Sequence, residues 1–102
     1  MSDIKIQNSL TGKIDDKLSF TKLFPYVAEL EDGEWEVYET ETFQGGQIVG
    51  EGKTQEEAIA DFKEILSSRY QKWIQEEKDG TIDPIVQEYI LNYLKEYIAF
   101  NE

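Results

Sequence analysis

The hydrophobic period of this chain changes at residue 54, and that change limits the folds that the chain can adopt. Residues 24–30 place apolar side chains at every second position, which is typical of a half-buried strand. Residues 54–57, Thr-Gln-Glu-Glu, form a capping box, and apolar side chains then recur at spacings of three and four as far as Trp73. The pattern predicts a helix of about six turns that ends before Asp79-Gly80. Strands followed by a long amphipathic helix indicate an α+β fold.

The strands are predicted to form a small antiparallel sheet of three or four members. Asp32-Gly33 favours a two-residue type I′ turn, so the strand that starts at Phe24 should form a hairpin with a second strand from Glu34 to about Thr42. Pro25 cannot donate to a ladder, which places it at the beginning of a strand or on an edge. A third strand is predicted over residues 47–50, and the alternation of Ile4 and Ile6 is a weak strand signal.

A second helix is predicted from Asp83-Pro84 to about Phe100, because Asp is a good N-cap and proline is tolerated in the first turn. We interpret residues 1–102 as one domain, in which a long helix and this C-terminal helix pack on the sheet. Three tyrosines share one face of the C-terminal helix, and tyrosine is enriched at interfaces. These tyrosines, which predict a self-association surface, are Tyr89, Tyr93 and Tyr97. The alternative is that the helix packs in the core and only the tyrosine hydroxyl groups reach the rim.

The composition excludes most catalytic chemistry. The 102 residues contain no cysteine and no histidine, so thiol catalysis, histidine general bases and the commonest metal ligands are missing. Residues 77–83 resemble part of a calcium loop, but Gln75 and Val86 occupy its first and last ligand positions. Gly52 precedes a helix N-terminus, but Glu51, Glu56 and Glu57 would repel a phosphate there. We therefore expect a non-enzymatic protein with no cofactor and no metal. The N-terminus has no signal-peptide pattern and no segment is long and apolar enough to span a membrane, which predicts a cytoplasmic protein.

The net charge of −12 is concentrated in one stretch. Residues 28–57 contain ten acidic residues and one lysine. Such a field repels nucleic acid and anionic membranes and attracts basic protein surfaces. Same-face carboxylates along a strand are about 6.6–6.8 Å apart, close to two steps of the charge spacing along one DNA strand. The predicted partner-binding residues are therefore Glu29, Glu31, Glu34, Glu36, Glu39, Glu41 and Glu51.

A solvated sheet face that only confers solubility is the alternative interpretation of these acids. By strict alternation along the strand, Glu39 and Glu41 would lie on the same face as Trp35 and Val37, which is the core face. Glu34 and Glu36 would lie on the opposite face. Either a bulge near Tyr38 changes the register, or the end of the strand leaves the sheet.

Two segments resemble the HicB-like antitoxin domain. Residues 32–37, Asp-Gly-Glu-Trp-Glu-Val, match its hairpin, in which a glycine precedes an aromatic residue. Residues 50–58, Gly-Glu-Gly-Lys-Thr-Gln-Glu-Glu-Ala, match the turn that leads into its long helix. The resemblance covers about residues 24–75. It implies a domain that binds and inhibits a small RNA-cleaving toxin.

These observations favour a protein-binding module that presents acidic surface to a basic partner and does not bind nucleic acid directly. In one version it is a HicB-like antitoxin that masks the RNA-binding site of a toxin. In a second it is an inhibitor from a phage or mobile element that mimics nucleic acid and acts on a restriction or CRISPR nuclease. In a third it is a structural homodimer built on the C-terminal helix.

Overall fold

The computed structural model describes residues 4–39 and 48–101. It is an α+β fold in which a four-stranded antiparallel sheet packs against one long helix, α1, and a C-terminal helix follows. This confirms the predicted fold class. The strands and helices are β1 (Ile4–Leu10), β2 (Leu18–Phe20), β3 (Phe24–Glu31), β4 (Glu34–Tyr38), β5 (Val49–Gly52), α1 (Gln55–Asp79), the C-terminal helix (84–97) and β6 (Ile98–Phe100).

The main sheet has the strand order β1-β3-β4-β5 with every neighbouring pair antiparallel. The turn between β3 and β4 is the predicted one, since Asp32 and Gly33 both have positive φ, at 53° and 79°. Pro25 is the second residue of β3, and the ladder with β4 begins only at Val27. The missing N–H of Pro25 therefore removes no bond from that ladder.

Two strand boundaries differ from the predicted ones. β4 ends at Tyr38, and the predicted continuation to Thr42 falls largely outside the described residues. β5 begins at Val49 and continues to Gly52, two residues further than predicted. The predicted start of that strand at Gln47 also lies outside the described residues.

Helix α1 has the predicted caps at both ends. The amide N–H of Glu57 donates to Thr54 Oγ1 over 3.1 Å, and the Glu57 carboxylate accepts from the backbone N–H of Lys53 over 3.3 Å. Gly80 closes the helix with a φ of 74°, and its N–H donates to backbone carbonyls of the last turn. None of the helices in the described part of the chain combines the length and hydrophobicity needed to cross a membrane.

The C-terminal helix begins as predicted but ends three residues early. Asp83 caps it by accepting from the N–H of Ile85 over 2.8 Å. The helix ends at Tyr97, and the predicted last turn is instead the strand β6, which pairs with β2 in a separate two-stranded sheet. The prediction of a helix to Phe100 was wrong because β2, some 80 residues earlier, supplies a ladder that local periodicity does not reveal.

A π-helical segment, Gln87–Leu91, interrupts the C-terminal helix. The N–H of Asn92 donates to the carbonyl of Gln87, five residues back. The extra residue in this turn rotates the following helix relative to the preceding one. Both Ile90 and Leu91, which are adjacent in sequence, are buried in the core.

The loop before β2 is attached to α1 through a carboxylate. The Ser67 hydroxyl on α1 donates to Asp15, which also accepts from the backbone N–H groups of Lys17 and Leu18 at 2.8 and 2.9 Å. These hydrogen bonds, with Ser67 the strongest influence, hold the pKa of Asp15 below its ordinary value. The loop is therefore fixed where it can start the β2–β6 ladder.

The buried side chains form one cluster that extends from Leu10 to Ile98. Phe24 lies in the middle of its aromatic part, with the rings of Phe20, Phe62, Tyr93 and Tyr97 at centroid distances of 5.0 to 6.1 Å. Helix α1 contributes the side chains Ala58, Phe62, Leu66, Tyr70 and Trp73 to this cluster.

Two glycines allow α1 to lie directly on the backbone of β5. A Cβ atom at Gly50 would overlap the carbonyl oxygen of Ala58 and would lie 2.6 Å from Phe62 Cα. A Cβ at Gly52 would lie 2.6 Å from the amide nitrogen of Ala58. Both positions touch backbone atoms, which cannot rotate away as a side chain can, so the helix and strand would have to separate.

We predict that Gly50→Ala lowers the free energy of unfolding by about 3 kcal/mol, because the added methyl group overpacks this contact. The control is Gly12→Ala, where an added Cβ has nothing within 4 Å and only the φ of 82° is strained, at a cost of roughly 1–2 kcal/mol. Urea unfolding measures both. Equal midpoints for the two variants would contradict the close approach at Gly50.

Candidate functional site

The sheet face opposite α1 brings three glutamates into one row across neighbouring strands. Glu29 on β3 is directly opposite Glu36 on β4, and Glu36 is directly opposite Glu51 on β5. Lys5 on β1 continues the row on the other side of Glu29. Next to the hairpin turn, Glu31 and Glu34 form a second opposed pair. We call the five glutamates the acidic patch: Glu29, Glu31, Glu34, Glu36 and Glu51.

The acidic patch is a two-dimensional array of carboxylates. Neighbouring strands are about 4.8 Å apart, and successive rows along a strand are about 6.6–6.8 Å apart. Four of its members are exposed and Glu29 is half-buried. Glu51 is 15 residues from Glu36 in sequence, and it joins the patch only because β5 is the next strand.

Tyr38 borders the patch and contacts it through its hydroxyl group, which donates to Glu29 Oε1 over 2.8 Å. Burial is the main cause that raises the pKa of Tyr38 to about 12, and the hydrogen bond to Glu29 and the charge of Glu36 act in the same direction. By register, Tyr38 lies in a row with Gln7, Val27 and Val49. The outer face therefore changes from acidic near the hairpin turn to largely apolar one row further away.

Glu39 does not belong to this surface, which corrects one predicted partner contact. It has no solvent-exposed area, so its carboxylate cannot touch a partner in this conformation. The ladder is regular up to Tyr38, and Glu39 follows the last residue of the strand. The described ladder contains no bulge, and the path of the chain after Glu39 lies outside the described residues. The predicted contact Glu41 lies outside the described residues.

The three tyrosines of the C-terminal helix are not equivalent. Tyr93 and Tyr97 are half-buried and pack on Phe24, with their own ring centroids 4.9 Å apart. Only Tyr89 is strongly exposed, at 48%. Tyr93 and Tyr97 thus pack as core side chains, as in the alternative interpretation, but the Tyr93 hydroxyl is itself buried and does not reach the rim.

A groove of about 550 Å³ lies between the loop before β2 and α1. Asp15, Lys63 and Ser67 contribute polar groups to its walls. The Ser67 hydroxyl and the Lys63 ammonium both donate to the adjacent loop, to Asp15 and to the carbonyl of Lys13. These groups act as attachments for the loop. Within residues 4–39 and 48–101, no group of three or more acidic side chains is arranged to hold a metal ion.

Comparisons with protein-family models, with curated proteins and with solved structures find no match for this chain. The resemblance to HicB-like domains stays a prediction that rests on residues 32–37 and 50–58.

We predict that Glu36→Gln raises the free energy of unfolding by about 0.2–1 kcal/mol, because it removes the middle charge of an opposed like-charge row. The gain should be larger at low salt, where screening is weaker. Thermal unfolding at two ionic strengths measures it. The control, Glu88→Gln, makes the same charge change on the exposed side of the C-terminal helix, and an equal gain there would contradict a local effect of the row.

We predict a stability loss between about pH 10 and pH 12 that depends on Tyr38. The folded-state pKa is raised, so this contribution is fully present below the unfolded pKa of 10 and is lost as pH rises through about 12. Tyr38→Phe should remove this part of the alkaline destabilisation, and an ultraviolet titration should lose one late-ionising tyrosine. An unchanged titration curve in the variant would contradict the assignment.

Proposed function

We propose that this protein is a non-enzymatic binding module that presents the acidic patch to the basic nucleic-acid-binding surface of a partner protein. The observation that carries the proposal is the row formed by Glu29, Glu36 and Glu51. Directly opposed like charges destabilise a sheet, and glutamate is disfavoured in strands. A surface needed only for solubility can spread its acids over helices and loops, where they repel one another less.

The array of carboxylates suits a groove that normally holds phosphates. Lysine and arginine side chains that contact a nucleic-acid backbone form charge-assisted hydrogen bonds to anionic oxygens, and carboxylates accept the same bonds. The sheet holds these carboxylates on a rigid surface, so fewer degrees of freedom are lost when they bind. Electrostatic complementarity of this kind speeds association and makes affinity fall as salt rises.

Two partner classes fit this chemistry. The resemblance to HicB-like domains favours a small RNA-cleaving toxin, whose RNA-binding site the patch would mask. The other version is a restriction or CRISPR nuclease, with this chain as an inhibitor from a phage or mobile element. Identification of the bound protein distinguishes the two, because the first is small and cleaves RNA, whereas the second is a larger enzyme that either recognises and cleaves DNA directly or is guided by RNA.

The third version, a structural homodimer through the C-terminal helix, has less support. Tyr93 and Tyr97 are occupied by packing on Phe24. The exposed apolar side chains left on that helix are Ile85 and Tyr89, at 54% and 48%. Two side chains offer much less apolar surface than a stable dimer interface contains.

The test is a pull-down from a nuclease-treated lysate of the native host. The baits are the wild-type protein and two triple variants that have the same net charge as each other. The patch variant is Glu34→Gln, Glu36→Gln and Glu51→Gln. The control variant is Glu56→Gln, Glu64→Gln and Glu88→Gln, which removes three charges from exposed helix positions. We expect a basic nucleic-acid-binding protein to be retained by wild type and control and to be lost from the patch variant.

Binding measurements with the purified partner then give the affinity, its dependence on salt and its competition with nucleic acid. Binding of the wild-type protein should weaken steeply between low and physiological salt, and a nucleic-acid oligonucleotide bound by the partner should displace it competitively. Equal retention by patch and control variants, or binding that the oligonucleotide does not affect, would contradict the proposal.

A further inference from the structure

Among the described residues, strand β1 forms an edge of the main sheet whose outer side is open. It is the first strand in the order β1-β3-β4-β5, and no strand among the described residues pairs with its other side. Of its seven residues only Leu10 is buried, and Ile4 is 46% exposed. Open edges of this length usually carry protection, because their free N–H and C=O groups can pair with another strand.

The register shows which backbone groups face outward. In a two-residue hairpin the residues that flank the turn form a hydrogen-bonded pair, so Glu31 and every second residue before it bond to β4. The alternate residues of β3, such as Ala28 and Leu30, bond to their partners on β1. The remaining residues of β1, which are Lys5, Gln7 and Ser9, therefore direct their backbone N–H and C=O groups outward, away from β3. One hydrogen bond agrees: the N–H of Ser9 donates to the adjacent side chain, Asn8 Oδ1, over 2.8 Å.

Strand β1 carries almost none of the usual protection against pairing. It contains no proline and no glycine, and its ladder with β3 is continuous over all seven residues. Lys5 is its single charged residue, so it has no acidic side chain, unlike β3, β4 and β5. The opposite edge, β5, is only four residues long and carries Glu51 of the acidic patch. Although the chain has a net charge of −12, β1 is thus an edge of the main sheet that a second copy can approach without opposing acids on the strand.

We propose that two copies of this chain pair antiparallel through β1, with Gln7 on the two-fold axis. Gln7 then faces Gln7 of the second copy, and Lys5 faces its Ser9, so that all three outward-facing residues form hydrogen-bonded pairs. On the inner side, the exposed Ile4 contacts Leu10 of the second copy. No pair of like charges is opposed in this register.

This pairing makes one continuous eight-stranded sheet, with both acidic patches on the same face. Three strand-to-strand steps, about 14 Å, and four residues along the strand, roughly 13–14 Å, separate Glu29 from its equivalent in the second copy, which gives a distance of about 20 Å. The dimer does not depend on the proposed function. Added salt should shift dimerisation and binding to a basic partner in opposite directions. Dimerisation brings together two chains of charge −12, so salt strengthens it, whereas salt weakens binding to a basic partner.

The experiment uses charge pairs on the two-fold axis. Gln7→Lys and Gln7→Glu each place like charges opposite each other, and each should weaken dimerisation by about tenfold or more. An equimolar mixture of the two variants places opposite charges there and should restore association as a heterodimer. Sedimentation velocity at about 100 μM, with and without added salt, suits the weak association expected of a small interface.

Tyr89→Glu is the control for an interface on the C-terminal helix, and it should leave association unchanged. Circular dichroism of every variant checks that the monomer is folded, which is expected because the Gln7 side chain is exposed. A wild-type protein that stays monomeric in high salt, or a mixture of the Gln7 variants that does not associate, would overturn the proposal. Loss of association in Tyr89→Glu would also overturn it.

Discussion

The contact between the backbones of α1 and β5 determines which face of the sheet is buried. Gly50 and Gly52 have no side chains, so the helix backbone at Ala58 and Phe62 lies against the strand with nothing between them. The buried side chains of α1 join those of β3 and β4 in the core cluster, and Phe24 is the centre of its aromatic part. One close approach therefore commits one face of the sheet to packing against α1, whereas the opposite face carries the exposed glutamates together with the buried Val27 and the half-buried Tyr38.

The charge pattern of the outer face depends on which face of the sheet packs against α1. A sheet with one buried face has a fixed register, since a shift of one residue would move every side chain to the other face. The register places Glu29, Glu36 and Glu51 side by side and holds them there against their mutual repulsion. The apolar burial on the inner face is large compared with the fraction of a kcal/mol that each opposed pair costs. A strong core thus allows an unfavourable surface charge pattern to persist.

The differences between the predictions and the structure have separate physical origins. Local periodicity extended the C-terminal helix to Phe100, but β2 pairs with the last three residues. Glu39 has the same parity as Trp35 and Val37, which face the core, and its side chain is buried. The tyrosine spacing indicated one face of a helix, and the π-helical turn and Phe24 decided which tyrosines that face buries.

Local chemistry in the sequence determined the elements and their ends: the Asp32-Gly33 turn, the Thr54–Glu57 cap, the stop at Gly80 and the start at Asp83-Pro84. These signals are readable because each acts over four residues or fewer. The sequence also determined that negative charge is concentrated in residues 28–57. Only the tertiary structure decided that Glu51 joins Glu29 and Glu36, that Glu39 is excluded, and that β1 is left as an open edge. The reason is that strand order and register arise from contacts across the fold, and no local pattern encodes them.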